Sequence, residues 1–286
     1  MEIELDFSNN KRISFTIIKE KDYSEKFKSI TVFKGTSLTI EMTGKELEHA
    51  EKNLFLPFSN DKLNNEIDLE IVNFADCISY IKPIRANIQR SYWLQNDNIE
   101  EIVSDGANLS MFLYSLSEER YVSYNNFLNE NFGFGVKLRR TEGNIEILIS
   151  EKDSISRNAV DMGYGYTELL PILTMIWLYC SENDYRLIVI EQPEVHLHPK
   201  FQAKFAKMLC KVIKNYPNIR FFIETHSETI LNTLGREIDY DRANPNDINI
   251  LRIEKQNGIS TVKSTGYDND GYLKDWPINF LDEDAD

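Results

Sequence analysis

The stretch "RLIVIEQPEVHLHPKFQAKF", residues 186–205, limits the possible folds more than any other part of the chain. An apolar run ends abruptly at Glu191, and Glu194, His196 and His198 follow at once. A strand this uniformly apolar belongs inside a parallel sheet rather than on a half-solvated antiparallel one. "PKFQAKFAKMLCKVIKNY" then has helical period, with Pro199 in its first turn. Phe201, Phe205, Met208, Leu209 and Val212 form its apolar face and lysines fill the other side. "IRFFIETHSE" predicts a second buried strand, and "SETILNTLG" a short helix capped by Ser227 and closed by Gly235. Buried strands alternating with amphipathic helices indicate an α/β protein, a parallel sheet with flanking helices. Ligands of such sheets sit at the carboxyl ends of the strands. Both polar clusters, 191–198 and 224–227, fall there.

The rest of the chain divides into three regions. Residues 1–75 are β-rich, with "IELDF", "ISFTII" and "SLTIEM" as strands of an antiparallel sheet. "TGKELEHAEKNL" then predicts a helix capped by Thr43, and 54–66 a loop. Residues 76–154 form a helical arm and a hairpin. "IVNFADCISYIKPIR" at 71–85 is a helix or a strand ending near Pro83, and Asp105-Gly106 is a turn between two helices in 99–131. "VKLRR" and "NIEILIS" pair across "TEGN". Residues 155–286 form the α/β lobe, opening with a glycine-rich turn and a buried helix, "AVDMGYGYTELLPILTMIWLYC". "INILRIEK" and "ISTVKST" make a last strand pair.

Composition excludes several classes. The chain has 286 residues and a net charge of -14, so no general nucleic-acid-coating surface is expected, though a local basic groove remains open. Cys77, Cys180 and Cys210 fit neither a disulfide framework nor a zinc ribbon, which predicts a cytoplasmic location. The longest apolar run, "LLPILTMIWLYC", is too short for a bilayer, and the acidic, alternating N-terminus is no signal peptide, so no membrane partner is expected. No Ser-His-Asp set with a nucleophile elbow occurs.

At the first strand end, Glu191 is a carboxylate on a stiff element, the place where phosphate-handling folds hold Mg²⁺ directly or through water. Gln192 and Glu194 lie beside it, and His226, at the second strand end, can reach a phosphate oxygen or orient water. Polar residues at strand ends also simply face solvent. That reading weakens because three of the four histidines fall in these two short segments. A metal-dependent hydrolase is an alternative: His196 and His198 form an H-x-H pair, with Glu191, Glu194 and His226 as further ligands. Arg85 and Arg90, with Tyr92 and Trp93, could bind nucleic acid or form a solvated face. "KLRR" at 137–140 reads as an exposed strand end.

"VIEQPEVHLHPKFQAKFAKML" followed by "FFIETHSETIL" resembles the ABC-type AAA ATPases of the OLD/RecF-like group, soluble relatives of the SMC proteins. "GYGYTELLPIL" at 163–173 resembles their signature segment, "YIKPIRANIQRSY" at 80–92 the arm before it, and "DGYLKDWPINFLDE" at 270–283 a C-terminal segment of one branch. The resemblance covers most of 75–286. It implies ATP and Mg²⁺ as cofactors and a P-loop-type fold. Glu191 would be the Walker B acid that organises Mg²⁺, and Gln192 would stand where many relatives carry a catalytic glutamate, with Glu194 nearby. The 196–198 segment, His198 included, would be the D-loop crossing a dimer interface, and His226 the switch histidine. Gly163, Gly165 and Thr167 would lie at a helix start that closes over a partner's nucleotide, consistent with an anion site at a helix N-terminus.

Two features depart from that pattern. Gln192 can position water but cannot take a proton. The 286 residues also hold no G-x-x-x-x-G-K-[ST] phosphate cradle. The one Gly-Lys pair, Gly44-Lys45, is followed by Glu46 and has Thr39 where the first glycine belongs. The chain therefore reads as starting after the usual P-loop. The resemblance then implies a subunit of an ATP-gated bacterial assembly in phage defence or a DNA transaction. Its partner would be a P-loop-bearing chain or a second copy, with DNA reached through the assembly. A non-catalytic pseudo-ATPase scaffold is the alternative. The chain after Gly235 is too short for the Toprim nuclease of OLD relatives.

Overall fold

The computed structural model describes residues 2–6, 11–19, 25–34, 37–43, 77–94, 99–152, 154–182, 185–256 and 259–275. The expected helix at 43–54, the loop at 54–66, the start of the 71–85 segment and the end of the 270–283 segment lie outside them. Contacts divide the chain into two units, 1–76 and 77–286.

In the first unit, β1 (Glu2–Asp6), β2 (Lys11–Lys19), β3 (Glu25–Lys34) and β4 (Ser37–Thr43) form one antiparallel sheet in sequence order. Strand β3 is not evident from the sequence. The reason is a register slip: Ile17 pairs with Phe27 but Thr16 with Ser29, so Lys28 is an extra residue. The bulge puts Phe27 and Ile30 three apart and breaks the period of two that marks a strand.

The second unit contains β5 (Ile78–Ile81), β6 (Tyr92–Trp93), α1 (Leu109–Ser115), α2 (Glu118–Phe132), β7 (Phe134–Thr141), β8 (Asn144–Glu151) and β9 (Arg157–Asn158). It continues with α3 (Tyr164–Glu182), β10 (Arg186–Glu191), α4 (Pro199–Asn215), β11 (Ile219–Glu224), α5 (Glu228–Asp239), β12 (Ile250–Gln256) and β13 (Ile259–Thr265). The expected α/β class is correct. β10 is parallel to both β11 and β5, in the order β11-β10-β5, and helices flank this sheet. The ambiguous 71–85 segment supplies a strand, β5. Ile81, Ile188, Ile190 and Ile219 face the core, whereas Tyr80 and Phe222 remain exposed. The strands are thus less fully covered than their uniform hydrophobicity suggests.

The core is organised by α3, buried continuously from Leu169 to Cys180. Its Thr174 hydroxyl and the fully buried Tyr124 hydroxyl of α2 share a hydrogen bond of 2.8 Å, and Trp177 meets Tyr124 edge-on at 5.2 Å. On the other side, β7 and β8 form the expected hairpin, pairing from Phe134↔Glu151 to Thr141↔Asn144. The "KLRR" end is exposed apart from half-buried Leu138.

Two expectations about turns are corrected. Asp105-Gly106 precedes α1 instead of separating two helices. The break between α1 and α2 is at Leu116-Ser117, where Ser117 caps α2 by accepting from the Arg120 amide. Nor does Gly235 close α5, which runs on to Asp239. Gly235 is needed because the Gly271 backbone crosses the helix there, and a Cβ would collide with its carbonyl.

Candidate nucleotide-binding site

Parallel register sets the centre of the site. Glu191 and Glu224 are paired residues at the last positions of β10 and β11, so their carboxylates emerge side by side at the strand ends. Tyr80 on β5 donates its phenol to Glu191 Oε1 at 2.8 Å. That hydrogen bond, helped by burial and by the negative charges of Glu191 and Glu224, raises the Tyr80 pKa. Immediately beyond, the Gln192 amide donates to the Glu224 carbonyl at 2.9 Å, and Gln192 takes a left-handed φ of 45°. The chain turns there without a glycine, so the conformation is held at a cost.

Glu194 fastens the two strand exits together. Its Oε2 accepts from the Thr225 hydroxyl at 2.8 Å and its Oε1 from the His226 amide at 2.7 Å. The His226 ring stays largely exposed, with Nε2 3.7 Å from Glu224 Oε1. Ser227 caps α5 through the Ile230 amide at 3.0 Å and donates to Gln202 of α4 at 2.6 Å. Gln202 in turn donates to the Leu197 carbonyl at 2.9 Å. The 192–198 loop, the 225–227 segment and the first turns of α4 and α5 are therefore one hydrogen-bonded body.

The N-terminus of α3 abuts the same loop. Tyr164 and His196 lie 5.7 Å apart between ring centroids, and a Cβ on Gly165 would sit 3.3 Å from the His196 carbonyl. Gly163, at φ 92°, has open space around it and makes the turn into the helix. Thr167 donates its hydroxyl to the Tyr164 carbonyl at 2.7 Å, within its own helix. His198 is the N-cap of α4, its Nδ1 accepting from the Lys200 amide at 3.1 Å.

Arg85 joins these parts from behind. Its side chain is fully buried. It pairs with Glu168 in the first turns of α3 at 3.0 Å and donates to the carbonyls of Glu191 at 3.0 Å and Gln192 at 3.4 Å. Of the four residues read as a possible nucleic-acid face, Arg85 is excluded by this burial. Arg90 is spent on a two-point pair with Asp161 at 3.0 and 2.5 Å. The Tyr92 hydroxyl accepts from the Gln89 amide, and Trp93 is exposed.

Of the residues singled out from sequence, Glu191, Gln192, Glu194, Gly165 and His226 converge at the strand ends. Thr167 and His198 satisfy local backbone groups. Tyr80, Arg85, Glu168 and Thr225 were not assigned to the site by sequence reasoning. Only the position of Tyr80 one residue before the end of the short apolar run that closes at Ile81 offered any signal.

Among the described residues no three His, Cys, Asp or Glu side chains are grouped to hold a metal ion. The histidines and carboxylates of the hydrolase alternative thus do not form such a group in this structure. Mg²⁺ bound with a nucleotide asks for less: one or two carboxylates, with phosphates and water filling the remaining positions. Glu191, with only Oε1 engaged by Tyr80, meets that requirement.

A family model described as "AAA ATPase domain" matches residues 1–231. The chain belongs to that family. Of curated relatives, it is 36% identical over 55 residues to the Retron Vc95 probable ATPase of Vibrio cholerae serotype O1 biovar El Tor, covering 19% of this chain and 10% of that protein. It is 28% identical over 211 residues to Endonuclease GajA of Bacillus cereus (strain HuB5-5), covering 61% and 30%. The chain thus spans less than a third of either relative. Similar solved structures include the SMC head domain from Thermotoga maritima, at 12% identity, TM-score 0.41 and coverage of 89% and 74%. Another is the SmcHead bound to the C-winged helix domain of ScpA, at 11% identity, TM-score 0.42 and coverage of 90% and 74%. No helix among the described residues of this AAA ATPase domain is long and apolar enough to cross a membrane.

Proposed function

We propose that this AAA ATPase domain supplies one half of a composite ATP site in a multi-chain assembly, in the manner of the OLD/RecF-like group. The observation that carries the proposal is the Glu191↔Glu224 register at the ends of parallel strands, with the α3 N-terminus packed against the loop that follows. The phosphate cradle comes from a P-loop outside these 286 residues.

In this reading each residue has a role that its geometry supports. Glu191 would hold Mg²⁺ through its carboxylate, and the ion there would supply neutralising charge for the phosphates. Tyr80 keeps that carboxylate oriented. Gln192 orients water, and a base must come from elsewhere because an amide cannot accept the proton. Glu194 holds the His226 segment in place, leaving the imidazole free to meet the γ-phosphate. The first turn of α3, with Gly163 and Gly165, faces a nucleotide held by another subunit, and the 196–198 segment lies at that interface. The setting in this reading is phage defence or a DNA transaction, and the names of the two relatives, a retron probable ATPase and an endonuclease, fit the second of these. Action on DNA is part of the same proposal.

The test is co-purification of the tagged chain with the products of neighbouring genes, with and without Mg-ATP. A P-loop protein retained only with Mg-ATP is expected, and Glu191→Gln should cut ATP turnover of the complex about 100-fold or more. Unchanged turnover in that variant removes the role of Glu191. Gln192 favours a second reading, a scaffold that has lost hydrolysis. It predicts a partner held equally well without nucleotide.

A further inference from the structure

Helix α4 carries five lysines and no acidic residue, in a chain where 46 acids outnumber 32 bases. Lys200, Lys204, Lys207, Lys211 and Lys214 recur at steps of four and three. At 100° per residue they share an arc of about 80° and form a stripe about 21 Å long. Every neighbouring pair along it is like-charged, which destabilises a helix. Lys200 also stands in the first turn, against the helix dipole. An ordinary solvated face mixes signs; this one does not.

The stripe borders a groove. Lys204, Lys207, Lys211 and Lys214, with Asn131 from α2 and Arg242 beyond α5, line a cavity of about 380 Å³. Lys204 donates to the Phe132 carbonyl at the end of α2, and Lys211 to Asn131 Oδ1 at 3.4 Å. Burial, with a smaller part from the nearby Lys200 charge, lowers the Lys204 pKa against the opposing pull of Glu151. Among the described residues, none of the five lysines forms an ion pair with a carboxylate. The acid lining the cavity, Glu237, is buried and pairs with Arg242 at 3.5 Å.

We propose that this lysine groove docks the phosphate backbone of duplex nucleic acid, without regard to sequence. Over about 21 Å, one strand of a B-form duplex presents about six phosphates. Lysine is a mobile point charge that suits a row of phosphodiesters and does not demand the paired geometry that arginine reads. An acidic protein fits less well. Protein interfaces are anchored by large apolar or aromatic side chains in pockets, and here Met208 and Cys210 are buried beneath the lysines. The groove uses none of the strand-end residues, so it stands independently of the proposed nucleotide site.

The test is anisotropy of a labelled, mixed-sequence DNA duplex titrated with the full chain between 50 and 200 mM salt. Binding should weaken steeply as salt rises. Lys207→Gln/Lys211→Gln/Lys214→Gln should weaken binding at least about tenfold at 50 mM and flatten the log–log salt slope by about three. The corresponding triple arginine variant should bind like the native chain, as should Lys137→Gln on the exposed end of β7. Absence of duplex binding at 50 mM, or an unchanged slope in the folded triple glutamine variant, overturns the proposal. Binding of poly-glutamate but not duplex also overturns it, in favour of an acidic protein partner.

Discussion

Helices α3 and α4 both begin at the strand-end cluster, yet they bury very different shares of their surface. α3 is buried over twelve consecutive residues, and its charges, Glu168 and Glu182, are confined to its two ends. α4 buries one face and leaves a continuous row of lysines outside. The core therefore fixes the axis of α3, and Arg85 ties its first turns to the carbonyls of Glu191 and Gln192. α4 packs Phe205, Ala206 and Leu209 into the same core and is also fastened at its start, by the His198 cap and by Gln202, which links the Leu197 carbonyl to Ser227. A change deep in α3 should thus be felt at the site through the core. A change on the outer face of α4 should not, and that face is free for a separate task.

The comparison breaks most sharply at Arg85. Arg85→Ala leaves the half-buried Glu168 carboxylate without its cation and two backbone carbonyls without their donor. A loss of about 4 kcal/mol in stability is expected from denaturant unfolding. A loss under about 1 kcal/mol would mean that α3 is held to the strand end by packing alone. Next is Leu173→Ala in the middle of α3, at a fully buried position. It should cost about 3 kcal/mol through lost burial and a residual cavity. The smallest effect belongs to α4: Lys207→Gln should shift stability by about 0.5 kcal/mol or less, and upward, because it removes a like-charge neighbour. A clear loss there would show that the lysine row supports the fold itself.

Much of the site was legible because its signal is local. A run of apolar residues ending in Glu191, repeated at Glu224, marks two strand ends whatever lies around them. The cap at Ser227 likewise acts over three residues. By contrast, Tyr80 and Arg85 reach Glu191 across separations of 111 and 106 residues. No spacing rule connects them, and Arg85 read alone is an ordinary surface cation. The misplaced end of α5 has the same origin. Gly235 looks like a helix stop until Gly271 is found crossing it.

By itself, then, the amino-acid sequence determined the α/β class, the two strand ends and the lysine periodicity of α4, since each follows from hydrophobic period or local hydrogen bonding. Tertiary structure alone decided that Glu191 and Glu224 share a register, that Tyr80 and Arg85 clamp the first of them, and that the lysines border a groove. Those relations depend on which segments pack together, and packing is set by the whole core rather than by any stretch of chain.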